Sequence, residues 1–155
     1  MTAEPPRLRV AFDLDETLGV PITDGRAIVG FQMRQGCREL LADLKARHDL
    51  ILWTVSSRAY ATKALGFGLG VFFDQAVTWD EMPCRWKDVR RIGVDFLVDD
   101  SDEHRQMASP YGLGSHYIVV PVYGSPEDFA NPLAWAEQVR QRLLDPRRPV
   151  MGDER

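Results

Sequence analysis

Two cysteines in 155 residues, Cys37 and Cys84, leave no disulfide framework, and their spacing matches no metal motif. Histidine is nearly as scarce, and His48, His104 and His116 lack the mutual spacing of a metal site. No apolar run approaches the roughly 20 residues needed to cross a membrane. Basic excess is missing too: 19 Lys and Arg stand against 23 Asp and Glu, a formal charge of -4. That excludes a chain-wide footprint for nucleic acid or an acidic membrane, although a local patch built on Arg58, Arg85, Arg90 and Arg91 stays open. The opening Met-Thr-Ala-Glu-Pro-Pro carries no basic-then-apolar signal pattern. Neither an internal repeat nor a linker interrupts the chain. The expectation is a soluble, cytoplasmic protein with one domain over 7–145, flanked by disordered tails at 1–6 and 146–155.

What the chain does have is a strand that ends in acid. Val10, Ala11 and Phe12 read as a buried strand, and Asp13-Leu14-Asp15-Glu16-Thr17 follows at once. Asp is a poor strand former, and ionised carboxylates beside a core are costly without a partner. An acidic turn is the bland account; a divalent cation at the end of a parallel strand is the functional one.

Further along, Gly19 to Gln32 has neither helical nor long strand periodicity and reads as a loop with a short hairpin at most. Cys37, Leu40, Leu41 and Leu44 mark an amphipathic helix over 36–47. Leu50–Trp53 is a second strand ending at Thr54. Ser56 or Ser57 caps a helix running to about Leu65, which Gly66 terminates. Gln75–Trp79 reads as a short strand, Lys87–Ile92 as a short helix closed by Gly93, and Phe96–Val98 as a strand ending in Asp99 and Asp100. Tyr117–Val120 is the last strand, and Asn131-Pro132 opens a helix over 133–144. This alternation predicts an α/β fold: an open, mostly parallel Rossmann-like sheet with helices on both faces.

In such a sheet the strand ends lie along one edge, so Asp13, Asp15, Thr54, Asp99 and Asp100 converge, with Lys87 nearby. Two unit charges 4 Å apart repel by roughly 4 kcal/mol at an effective dielectric of about 20, so clustered carboxylates require a cation. Hard oxygen donors suit Mg²⁺. The cation and a lysine would attract a phosphate dianion, which an aspartate could attack. The bland alternatives are a solvated lysine at 87, capping hydroxyls at Thr54 and Ser56, and a turn residue at Asp100.

Asp13-Leu-Asp15-Glu-Thr17-Leu resembles the D-x-D-x-T signature of the haloacid dehalogenase (HAD) superfamily of phosphohydrolases. Arg34-Gln-Gly36, Leu52-Trp-Thr-Val-Ser-Ser-Arg-Ala-Tyr-Ala61, Lys87-Asp-Val-Arg-Arg-Ile-Gly93 and Val98-Asp-Asp-Ser101 extend the likeness. Together they resemble its capless branch, the NLI-interacting-factor-like phosphatases that include RNA polymerase II C-terminal-domain phosphatases. The resemblance implies Asp13 as nucleophile and Mg²⁺ ligand. It implies Asp15 as general acid and then base, with its backbone carbonyl as a second ligand. Thr54 would contact phosphate, Lys87 would neutralise charge, and Asp99 and Asp100 would complete the metal shell. Physically, Asp13 must be ionised to attack whereas Asp15 must first be protonated, so the side chain of Asp15 should stay off the metal.

There are departures. Gln35 replaces the usual proline, Gly19-Val20 replaces a polar pair, and Lys87 precedes Asp99 by only 12 positions. Consecutive Asp99 and Asp100 can both be ligands only if the strand ends between them. The intervals that hold caps in HAD proteins are short, so the site should be open. An open site suits a large phosphorylated substrate such as a phosphoprotein, with Ser56, Arg58 and Arg26 as contacts. The alternatives are a polynucleotide end or nucleotide, a small molecule under a lid built by oligomerisation, and a non-catalytic module that keeps the fold.

Overall fold

The computed structural model describes residues 6–144. The tails expected at 1–6 and 146–155 lie outside those residues, apart from Pro6. Five parallel strands form the central sheet: β1 (Arg9–Phe12), β4 (Asp49–Trp53), β5 (Gln75–Val77), β6 (Phe96–Asp99) and β7 (Tyr117–Val119). Their order is β5-β4-β1-β6-β7, which puts β1 at the centre. Val10 pairs in register with Leu50 on one side and Phe96 on the other.

Both faces of the sheet are covered, as the run of apolar residues in β1 requires. The two-residue pleat sends Val10, Phe12, Leu50, Leu52, Phe96 and Val98 to one core. There they meet Leu40, Leu41 and Leu44 of α1 (Cys37–Lys45) and Trp135 and Val139 of α5 (Ala134–Leu144). Ala11, Ile51, Trp53 and Leu97 point the other way, toward Val89, Val94 and Ala108, the last residue of α3 (Glu103–Ala108). The predicted parallel α/β sheet is the observed one.

Several local expectations need correction. The stretch read as a loop is a full hairpin, β2 (Gly19–Asp24) against β3 (Ala27–Met33), turning through Gly25 and Arg26. Gly25 at φ 63° suits that two-residue turn. Pro21 is tolerated in β2 because a two-stranded ribbon is all edge. Of the two serines expected as alternatives for the cap of α2 (Arg58–Ala64), Ser57 is the one that serves, accepting from the Tyr60 amide. The turn after α2 reverses at Gly68, φ 118°, rather than at Gly66. The helix expected over 87–92 shrinks to a single 3-10 turn, Val89–Arg91, capped by Asp88. Two short helices had no long periodic pattern to reveal them: α3, and α4 (Pro126–Ala130), which Ser125 caps.

Candidate active site

The segment after β1 folds tightly for identifiable reasons. The Asp13 amide still donates to the Val98 carbonyl, 2.9 Å, continuing the ladder one residue past β1. Leu14 and Leu18 are fully buried and anchor the turn from below. Between them Glu16 adopts the left-handed conformation, φ 67°, at a cost of about 1–2 kcal/mol. Its backbone is pinned on both sides: its amide donates to the Gly19 carbonyl and its carbonyl accepts from the Tyr123 amide.

Asp13, Asp99 and Asp100 each bring a carboxylate oxygen within 4.8 Å of the others. The strand-end condition is met, because β6 stops at Asp99 and the chain bends at Asp100. Thr17, wholly buried, ties the group together. Its hydroxyl accepts from the Asp100 amide at 3.0 Å and offers its proton to Asp100 Oδ1 at 2.8 Å or Asp13 Oδ2 at 3.1 Å. Lys87 Nζ donates to Asp13 Oδ1 at 2.8 Å and to Asp99 Oδ2 at 2.9 Å. Burial works against that ammonium, but the two carboxylates outweigh it and raise the Lys87 pKa. Burial, reinforced by Asp13 and Asp99, pushes the Asp100 carboxyl up to about 7. One lysine therefore does not balance the cluster. Three carboxylates on hard oxygens, incompletely neutralised, fit a hard divalent cation such as Mg²⁺.

Asp15 stands outside this cluster. Its Oδ1 accepts from the Tyr60 hydroxyl at 2.5 Å. Burial raises its pKa, the tyrosine opposes that, and the Asp13 charge adds to the rise. Two neighbouring aspartates thus have different surroundings, one held by an ammonium, the other half-buried against a neutral phenol.

Lys87 reaches the site without the helix the sequence suggests. Its amide donates to His104 Nδ1 at 3.0 Å, and its carbonyl accepts from the Tyr117 hydroxyl at 2.8 Å. Side chains from α3 and β7 thus hold the backbone on either side of Lys87. Since His104 Nδ1 accepts, Nε2 carries the proton, and it faces Asp99 Oδ2 at 3.6 Å.

Thr54 follows β4, one strand from Asp13, and is buried. Its hydroxyl lies 2.8 Å from that of Ser56 and accepts from the Ser56 amide, forming a small polar ledge. The two arginines are placed differently. Arg58 is tied to Glu81, 2.6 Å, and to the Ala76 carbonyl, 2.7 Å, so a substrate would have to compete for it. Arg26 sits in the exposed turn of the hairpin. Four residues that sequence reasoning left without a role are structurally central: Thr17, Arg34, Tyr60 and His104. The first three fall inside motif stretches, which was a usable signal; nothing in the sequence marks His104.

No protein-family model matches the chain, and no curated protein matches it. Solved structures do. Fcp1, described as an essential RNA polymerase II CTD phosphatase, aligns with TM-score 0.60 and 19% identity over 89% of this chain and 49% of that one. A candidate β-phosphoglucomutase from Thermotoga maritima aligns with TM-score 0.62 and 15% identity, covering 86% of this chain and 99% of its own. A haloacid dehalogenase-like family hydrolase from Streptococcus pneumoniae gives TM-score 0.56 and 14% identity over 81% and 90%. The fold is therefore the haloacid dehalogenase-like α/β fold. The chain spans about half the length of the Fcp1 chain it matches.

Proposed function

We propose that this chain is a Mg²⁺-dependent phosphomonoester hydrolase working through an aspartyl-phosphate on Asp13. The observation that carries this is the division between the two aspartates: Asp13 bonded to Lys87 within the acidic cluster, Asp15 turned away onto Tyr60. Asp13 attacks phosphorus as the bond to the leaving oxygen breaks, and Asp15 gives that oxygen its proton. Water then attacks the phosphoryl group, yielding its proton to Asp15, and Asp13 is released. Lys87 offsets the charge of the nucleophile and the incoming phosphate, while the Thr54 and Ser56 hydroxyls offer hydrogen bonds to phosphate oxygens. Asp13, Asp99, Asp100 and the Asp15 backbone carbonyl would hold Mg²⁺, which supplies Lewis-acid polarisation of the phosphoryl group.

The substrate class we favour is a phosphoprotein. The segment between β1 and α1 holds only the hairpin, and the segment between α2 and Lys87 holds irregular turns and the short β5. Neither amounts to a cap domain, which leaves room for a protruding phosphorylated chain. The likeness to Fcp1 is in keeping with this reading. A polynucleotide substrate is less well supported: Arg90 is committed to Asp88 and to the face of Tyr111, and Arg91 donates to the Pro83 carbonyl.

The test is turnover of p-nitrophenyl phosphate in Mg²⁺. Wild type should release phosphate, and Asp13→Asn should lose at least about a thousandfold, roughly 4 kcal/mol, while its circular dichroism stays native. Near-normal turnover by Asp13→Asn would remove the assignment.

A further inference from the structure

We infer that Tyr60 is a positioning residue for proton transfer, fixing which oxygen of Asp15 carries the proton. The inference rests on the phosphatase reading above. Tyr60 lies in the first turns of α2, and its phenol reaches across to Asp15 Oδ1. Its ring is half-buried against the main core, so the hydroxyl is delivered by a packed side chain rather than by a mobile one. Ser57, whose hydroxyl caps the Tyr60 amide, fixes the helix start from which the ring projects.

The chemistry follows from donor and acceptor counting. Tyr60 donates its hydroxyl proton to Asp15 Oδ1, so that oxygen is held as an acceptor. With this contact kept when Asp15 is a neutral acid, its own proton sits on Oδ2, the oxygen that Tyr60 does not hold. As Asp15 gives that proton to the leaving oxygen, it becomes a carboxylate, and the bond from Tyr60 becomes charge-assisted and stronger. The contact therefore favours the transition state over the ground state, the condition for acceleration rather than tighter binding. In the second half, water delivers its proton to the same Oδ2, and the tyrosine bond relaxes again. Without the phenol the carboxyl group can rotate and place its proton on either oxygen.

Such a role has a signature that a packing role lacks. Proton donation matters most when the leaving oxygen is basic. Tyr60→Phe keeps the ring and removes only the hydroxyl. In Mg²⁺ it should lower kcat on phenyl phosphate about tenfold or more. On p-nitrophenyl phosphate, whose leaving group needs little help, the loss should be about two- to threefold, and KM should change little on either. In an Asp15→Asn background, Tyr60→Phe should cause no further leaving-group-dependent loss, because the two residues act as one unit. Equal losses on both esters, or the same selective loss in both backgrounds, would overturn the inference while leaving the phosphatase reading intact. Wild type inactive on both esters would overturn the phosphatase reading and this inference together.

Discussion

At the scale of single residues, a buried guanidinium ties the site to the helices behind it. Arg34 is 2% exposed, pairs with Asp128 at 2.9 Å, and lies over the Trp135 ring at 4.7 Å. Its other terminal nitrogen donates to the Thr17 carbonyl at 3.3 Å, so the guanidinium links the D-x-D-x-T turn to α4 and α5. Asp128 is equally committed, accepting from the Gly124 amide at 2.9 Å. Removing one partner of a buried pair strands the other charge, typically at about 3–5 kcal/mol. Arg34→Met should therefore lower unfolding stability by about that amount in urea titration. Arg34→Met with Asp128→Leu should recover much of it, because no unpaired charge remains. Arg34 was visible in the sequence as part of a motif stretch. That it sits under Thr17 was not, since its partners are 17 and 94 positions away.

At the scale of elements, the parallel strands are held in register by side chains at their N-terminal edge as well as by the ladder. His48, just before β4, accepts the Leu8 amide on Nδ1 at 3.2 Å, just before β1. Burial lowers the His48 pKa; Arg47 and Arg7 add to this, against the opposite pull of Asp49 and Asp95. A histidine with a depressed folded pKa contributes stability above its unfolded pKa of about 6.5, lost as pH falls toward the folded value. Thermal melts between pH 7 and pH 5 should show wild type losing more stability than His48→Gln, whose slope lacks this term. Parallel slopes would mean that His48 takes up protons equally in the folded and unfolded states. Long-range side chains also account for the shortened helix at 87–92. The Lys87 amide and carbonyl are held by His104 and Tyr117, so Lys87 stays outside the turn at Val89–Arg91, and local sequence could not show partners 17 and 30 positions away.

At the scale of the whole molecule, the proposed cation at the converging strand ends would tie stability and activity to one ligand. A cation that binds only the folded state stabilises by about 2.7 kcal/mol at a hundred times its Kd. Mg²⁺ should raise the melting temperature of wild type, a chelator should reverse it, and Asp99→Asn should show a smaller rise; calorimetry measures all of these. No rise in wild type would refute the metal role. The lack of a large insertion bears on substrate size. A small phosphate brings little remote binding energy to an uncovered site. A phosphopeptide or phosphoprotein should exceed small metabolites in kcat/KM by at least about tenfold, roughly 1.4 kcal/mol. If a stable monomer hydrolyses one small metabolite near the diffusional range, the open-site reading fails. If small-molecule turnover rises with protein concentration, a second subunit supplies the cover.

The sequence by itself determined the strands and the polar residues at their ends. Val10–Phe12, Leu50–Trp53 and Phe96–Val98 are apolar runs suited to a doubly covered parallel sheet, and each is followed directly by Asp or Thr. Patterns of that kind are local, so a linear reading recovers them. Tertiary structure decided which polar groups share a hydrogen bond. It placed Lys87 between Asp13 and Asp99, turned Asp15 onto Tyr60, set Thr17 beneath Asp13 and Asp100, and tied Arg58 to Glu81. Those pairings span from 4 to 83 positions and depend on strand order and on side-chain reach. Strand order is a property of the whole core, where β6 rather than β4's other neighbour takes the place beside β1, and no window of sequence encodes it.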